Sequence, residues 1–122
     1  FVVVAHPQAE FDRLMAERRT VQARPVAATS TPSRGEALFH STGCAACHRI
    51  AGTAANGQAG PDLTHVGTRR TLGAGILPNN LGTLMGWTGD SQSIKPGNRM
   101  PSYKTLSAEE LTAIARYLEA QR

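Results

Sequence analysis

Third cysteines, aromatic residues and long apolar runs are what this chain lacks. It has two cysteines and one tryptophan in 122 residues, and 5% of it is aromatic. With no further cysteine, a zinc centre built on Cys44 and Cys47 would be short of sulfur ligands, since structural zinc takes four. No stretch approaches the roughly 20 apolar residues that span a bilayer. The N-terminal apolar run, Phe1 to Ala5, is also far too short for a secretory leader. The expectation is therefore a mature chain or a piece excised from a longer one. The length suits one domain of ordinary size, yet 40% hydrophobic content with so few rings is a thin supply for a polypeptide core. The net charge of +4 is mostly arginine. It is scattered and not interleaved with aromatics, which disfavours nucleic acid as a partner. A solvated surface with an electrostatic docking face fits better.

What is present is Cys44-Ala45-Ala46-Cys47-His48. C-x-x-C-H is the attachment signature for c-type haem. Two thiols at this spacing can each form a thioether to a haem vinyl group. The next residue, His48, is then carried under the iron as an axial ligand. A thioredoxin-like redox pair is the bland alternative, but it belongs near a βαβ pattern, and none is legible here. A buried haem would also make up for the thin core. Covalent haem attachment in bacteria places the protein outside the cytoplasmic membrane.

In chain order, the β-branched Phe1-Val2-Val3-Val4-Ala5 predicts a strand, buried or paired. Pro7 suits a first helical turn, and Phe11, Leu14 and Met15 share one face of a helix from Gln8 to about Arg19. A lone strand and helix cannot make a core, so residues 1–19 read as the tail of a neighbouring domain. Residues 20–32 are small, polar and proline-punctuated, a linker reaching roughly 40 Å when extended. A compact unit begins at Ser33. Ser33-Arg34-Gly35-Glu36 spells a capping box, its helix ending at about Ser41 with Gly43 as left-handed stop. Ser107-Ala108-Glu109-Glu110 spells another, followed by Leu111, Ile114, Ala115 and Leu118 at helical spacing. Gly35 costs its helix about 1 kcal/mol, so it is expected to admit the last helix near Ile114 and Tyr117. Between them, residues 49–79 suggest loops over a cofactor, with a short helix or turn at Thr71 to Gly75. Asn79 or Asn80 is expected to cap a helix through about Gly86, and Lys95 to Pro101 form an irregular loop.

The candidates for a sixth iron ligand are Met15, Met85, Met100, His6, His40 and His65. Met100, in a loop followed by Pro101, is favoured, because an irregular segment can aim a side chain inward. Met85 falls at core spacing, where methionine is more often filler. His65 reads as a surface histidine. Pro61 can be a plain turn residue; the reading preferred here is that its carbonyl accepts the other ring N–H of His48 and orients the imidazole. Trp87 is either core or a haem-propionate partner. Arg69 and Arg70 are either surface charges or propionate partners.

Gly35 to Phe39, the C-x-x-C-H run, Gly60-Pro61, Met100-Pro101 and the Ile114–Tyr117 helix together resemble class I cytochrome c. That resemblance implies an all-α fold wrapped around one covalent haem over residues 33–122. Leu63 to Gly75 with Leu77-Pro78-Asn79, Trp87, and Lys95 to Pro101 look like the cytochrome c domain fused to subunit II of caa3-type cytochrome c oxidases. Phe1 to Val4 with Gln8 to Phe11 is similar to the end of the CuA domain there. The resemblance implies electron transfer from a soluble redox donor through this haem to CuA, in a domain that is not itself an enzyme but belongs to an oxidase. It implies tethering at the outer face of the cytoplasmic membrane, with Cys44, Cys47, His48, Pro61, Arg70, Trp87 and Met100 around the haem. No CuA ligand set is present in this sequence. A free cytochrome c shuttle is the alternative, and residues 1–32 argue against it. An open-iron enzyme or sensor would require Met100 to be displaced.

Overall fold

Each of the three longer helices around the candidate site starts at a residue able to cap it. In the computed structural model, which describes residues 3–22 and 33–122, Ser33 is extended (φ −62°, ψ 158°) and its hydroxyl accepts from the Glu36 amide at 3.1 Å, opening α2 (Arg34–Ser41). Asn80 and Thr83 exchange hydrogen bonds of 3.0 and 3.1 Å to open α4 (Leu81–Ile94). Ser107 and Glu110 do the same for α5 (Ala108–Glu119), at 2.8 and 3.2 Å. The Ser107 amide holds the Glu110 carboxyl below its ordinary range. Such caps contribute about 1 kcal/mol each. Around these helices lie α1 (Gln8–Gln22), the one-turn α3 (Cys44–Cys47) and a 3-10 turn at Val66–Thr68. A minimal antiparallel hairpin pairs β1 (Thr71–Leu72) with β2 (Leu77–Pro78).

The centre of the fold is the crossing of α2 and α5. A Cβ placed on Gly35 would lie 2.7 Å from Tyr117 Cβ and nearer still to the Ala113 carbonyl. Only glycine lets the two backbones approach this closely. Phe39 and Ile114, essentially without exposure, pack there with Ala115 and Leu118, and the Phe39 and Tyr117 rings meet at 5.7 Å. Leu84 of α4, Leu72 of the hairpin, and Ile50, Leu63 and Val66 from the loops complete a small core. The architecture is helical with one small sheet.

Two expectations need correction, and a third is narrowed. Val3 and Val4 form no strand and are 79% and 52% exposed; a β-branched run has no ladder to join without a partner strand. The predicted linker starts too early, because α1 continues through Gln22; the rest of it, residues 23–32, lies outside the described residues, as do Phe1 and Val2 of the predicted strand. Of the helix or turn expected at Thr71 to Gly75, the turn is what forms. The segment opens the hairpin, whose turn has three left-handed residues in succession, Gly73 (φ 62°), Ala74 (φ 65°) and Gly75 (φ 97°). In addition, α4 runs eight residues past Gly86, kinked at Asp90 (φ −151°, ψ 64°).

Candidate cofactor site

The motif occupies a sharp corner. Gly43, at φ 85°, ends α2 and starts α3. Cys44 is buried, whereas Cys47 is exposed, so the two thiols do not share a core. Thr42 Oγ1 lies 3.3 Å from Cys44 Sγ. His48 leaves α3 in extended conformation, its amide on the Cys44 carbonyl at 2.9 Å. Its Nδ1 lies 2.8 Å from the Pro61 carbonyl oxygen. A carbonyl can only accept, so Nδ1 carries the proton and Nε2 keeps its lone pair. Nε2 has no hydrogen bond among the described residues. Gly60 backs the ring so closely that a Cβ there would sit 2.6 Å from Cε1 and 2.7 Å from Nδ1. The Gly60 amide is fixed to the Cys47 carbonyl at 2.7 Å. Beyond the ring, Arg49 pairs with Asp62 at 2.8 Å. Burial alone would raise the Asp62 carboxyl, but bonds from Thr64 and Arg49 outweigh it and hold the group below its ordinary range.

Met100 lies in irregular backbone after α4, half-buried. Its amide donates to Asn98 Oδ1 at 2.9 Å, and its carbonyl accepts from Gln92 Nε2 at 2.9 Å and Ser91 Oγ at 3.3 Å. Tyr103 follows beside the thiols; burial first, and then nearby Cys44 and Cys47, push its phenol up to about 12. Of the other sixth-ligand candidates, Met85 turns its sulfur to α5, where Thr112 Oγ1 donates to it at 3.5 Å. Met15 lies on α1, and His6 pairs with Glu10 there at 3.0 Å. His40 sets its ring edge-on to Phe39. His65, expected at the surface, is half-buried with an unpartnered, buried Nε2, and burial lowers its pKa.

Trp87 is half-buried against the hairpin, where Gly73 would place a Cβ 2.8 Å from its ring. Arg70 is exposed, and Arg69 donates to the Asp62 carbonyl. Neither arginine has an ion pair among the described residues. Sequence reasoning missed Asn98, Asp90, Ser91 and Tyr103. An asparagine two residues before a loop methionine is a local backbone-bonding signal that pointed to Asn98; nothing local pointed to Tyr103.

Among the described residues no three His, Cys, Asp or Glu side chains converge on a bare metal site. The cytochrome c family model matches residues 32–121. The chain belongs to the cytochrome c family. Its curated relatives include cytochrome c oxidase subunit 2 of Alkalihalophilus pseudofirmus, 39% identical over 88 residues, covering 72% of this chain and 25% of the relative. The subunit 2 of Bacillus sp. PS3 is 32% identical over 122 residues, covering 97% and 33%. That of Bacillus subtilis is 33% identical over 100 residues, covering 79% and 28%. The chain thus spans a quarter to a third of the length of these relatives.

Membership of the cytochrome c family implies haem binding, and the residues present suit it. The motif offers two thiols for thioethers and an imidazole whose tautomer leaves Nε2 available, and Met100 offers a soft sulfur. Tyr117 Oη and Asn79 Oδ1 are also buried without a protein partner.

Proposed function

We propose that this cytochrome c domain holds one covalent haem c through Cys44 and Cys47, with His48 and Met100 as axial ligands, and passes electrons from a soluble redox donor to a CuA centre in an oxidase subunit II. The observation that carries the ligand set is the His48 Nδ1 contact with the Pro61 carbonyl: it fixes both the tautomer and the plane of the ring, as ligating histidines require. When bound, haem supplies a one-electron couple whose potential a thioether ligand raises. The chain's own residues anchor, orient and shield. Pro61 sets the imidazole, Met100 supplies the second donor, and Trp87 and Arg70 lie on the hairpin side, where propionates would find N–H donors. Residues 33–122 form the haem-carrying unit. Residues 1–22, through the end of α1, are the end of the CuA domain and residues 23–32 its tether, at the outer face of the cytoplasmic membrane. In support, α1 adds nothing to the core, as expected of an extension and not of a shuttle. Lys104 is paired with Asp90 at 2.8 Å and Lys95 Nζ is bonded to the Gly73 carbonyl. The Asp90 carboxylate offsets the charge of Lys104, whereas Lys95 on a neutral carbonyl keeps its own, so a positive docking face for the donor rests on Lys95, Arg99 and Arg70.

The test is a pair of variants of the holoprotein. Met100→Ala should abolish the near-infrared thioether-to-iron band and lower the reduction potential, while Met85→Ala leaves both in place. The reverse result would overturn the ligand assignment.

A further inference from the structure

Met100 stands in a segment without helix or strand, and such a segment holds a side chain in place only if something else fixes its backbone. The structure gives it two fixings, one on each flank, both made to α4. Upstream, Asn98 is the hub. Its Nδ2 donates to the carbonyls of Ser91 and Lys95 at 2.9 and 2.7 Å, a second donor to each beside the backbone amides of Lys95 and Asn98. Its Oδ1 accepts from the Met100 amide at 2.9 Å, and Ser91, fully buried, donates to the same oxygen at 3.3 Å. Gln92 then bridges the carbonyls of Asn98 and Met100. Downstream, the kink at Asp90 turns its carboxylate outward to Ser102 Oγ and Lys104 Nζ, both at 2.8 Å. The Gly89 carbonyl, next to the kink, accepts from the Tyr103 amide at 2.9 Å. The chain on either side of Met100 is thus laced to one turn and a half of the same helix.

We propose that Asn98 and Asp90 are positioning residues for the sixth ligand: together they clasp the Met100 loop to the kinked end of α4, which would favour the thioether over an outside ligand when haem is bound. The inference rests on the reading of Met100 as that ligand. Neither residue touches the metal; each acts through the backbone of residues 98–104. The clasp explains why α4 breaks at Asp90 instead of ending there. A straight helix would keep the Gly89 carbonyl in its own ladder and point the carboxylate elsewhere.

The experiment uses the ferric holoprotein with imidazole as the competing ligand, read from the loss of the thioether band, alongside thermal unfolding of each variant. Asn98→Ala should raise imidazole affinity on the order of tenfold, since several side-chain hydrogen bonds are lost at once. Asn98→Asp, which keeps the acceptor for the Met100 amide, should raise it less, and Asp90→Ala should raise it severalfold. If Asn98→Ala fails to accumulate with haem, Asn98→Asp and Asp90→Ala carry the test. Imidazole affinities equal to wild type, with or without a lower melting temperature, would overturn the clasp and leave these residues a purely structural part. Met100→Ala in the same series separates the two ideas. If it keeps the band, the ligand reading has failed; if it loses the band while the Asn98 and Asp90 variants bind imidazole as wild type does, only the clasp has failed.

Discussion

The two faces of the candidate site are built on opposite principles. On the His48 side, five consecutive residues carry the attachment chemistry, a one-turn helix sets their directions, and a single carbonyl orients the ring. On the Met100 side no repeating structure exists, and half a dozen side-chain hydrogen bonds do what a helix does opposite. A short motif suffices for the covalent anchoring proposed above. For the sixth ligand proposed above, whose one anchor would be its bond to iron, the mesh is what fixes the backbone.

That contrast can be broken most drastically from the motif side. Replacing both Cys44 and Cys47 with alanine should remove all haem that survives denaturing electrophoresis, judged by haem staining, while Met100→Ala keeps it. A double variant that still stained would mean the anchors lie elsewhere. A smaller effect is expected at Gly60, where there is no room for a methyl group beside His48. Gly60→Ala should cost about 1–3 kcal/mol in denaturant melts, as overpacking does, and should move the reduction potential by tilting the ring. A stability within experimental error of wild type would show that the ring is not held as tightly as the 2.8 Å contact with Pro61 implies.

The mildest probe is acid. Asp62 on the His48 side has its carboxyl held below the ordinary 3.8: burial opposes this, but Thr64 and Arg49 prevail. A depressed carboxylate contributes its full stability above the ordinary value and loses it as pH falls through the folded value. The melting-temperature gap between wild type and Asp62→Asn should therefore be constant near neutrality and close below about pH 4. A gap that persisted in stronger acid would assign the effect of Asp62 to packing, not charge.

What could be read from the sequence follows the same division. The C-x-x-C-H run, the Ser107 box and the Gly35 approach to the last helix are signals carried within four residues or by one face of a helix, and they describe the observed elements closely. The length of α4 could not be read that way. Gly82, Gly86 and Gly89 depress local propensity, and what carries the helix past them is burial of Leu84, Thr88 and Ser91 against the rest of the fold. With the end of α4 misplaced, the partners of Asn98 and Asp90 were invisible. The hairpin at Thr71–Pro78 was hidden for a related reason: strands of two residues leave no alternation to detect. Val3 and Val4 show the converse, a strong local strand preference left exposed because pairing is a tertiary event.

The crossing of α2 and α5 has a mechanical side. Ser33 caps α2 directly. Any pull arriving along the chain from residues before it is therefore applied to α2. That helix is pinned by Gly35 against Ala113 and Tyr117 and by Phe39 in the core. The load passes sideways into the C-terminal helix before it can reach Gly43 and the corner at Cys44. Tension on the N-terminal side loads the joint between α2 and α5 ahead of the corner that carries His48.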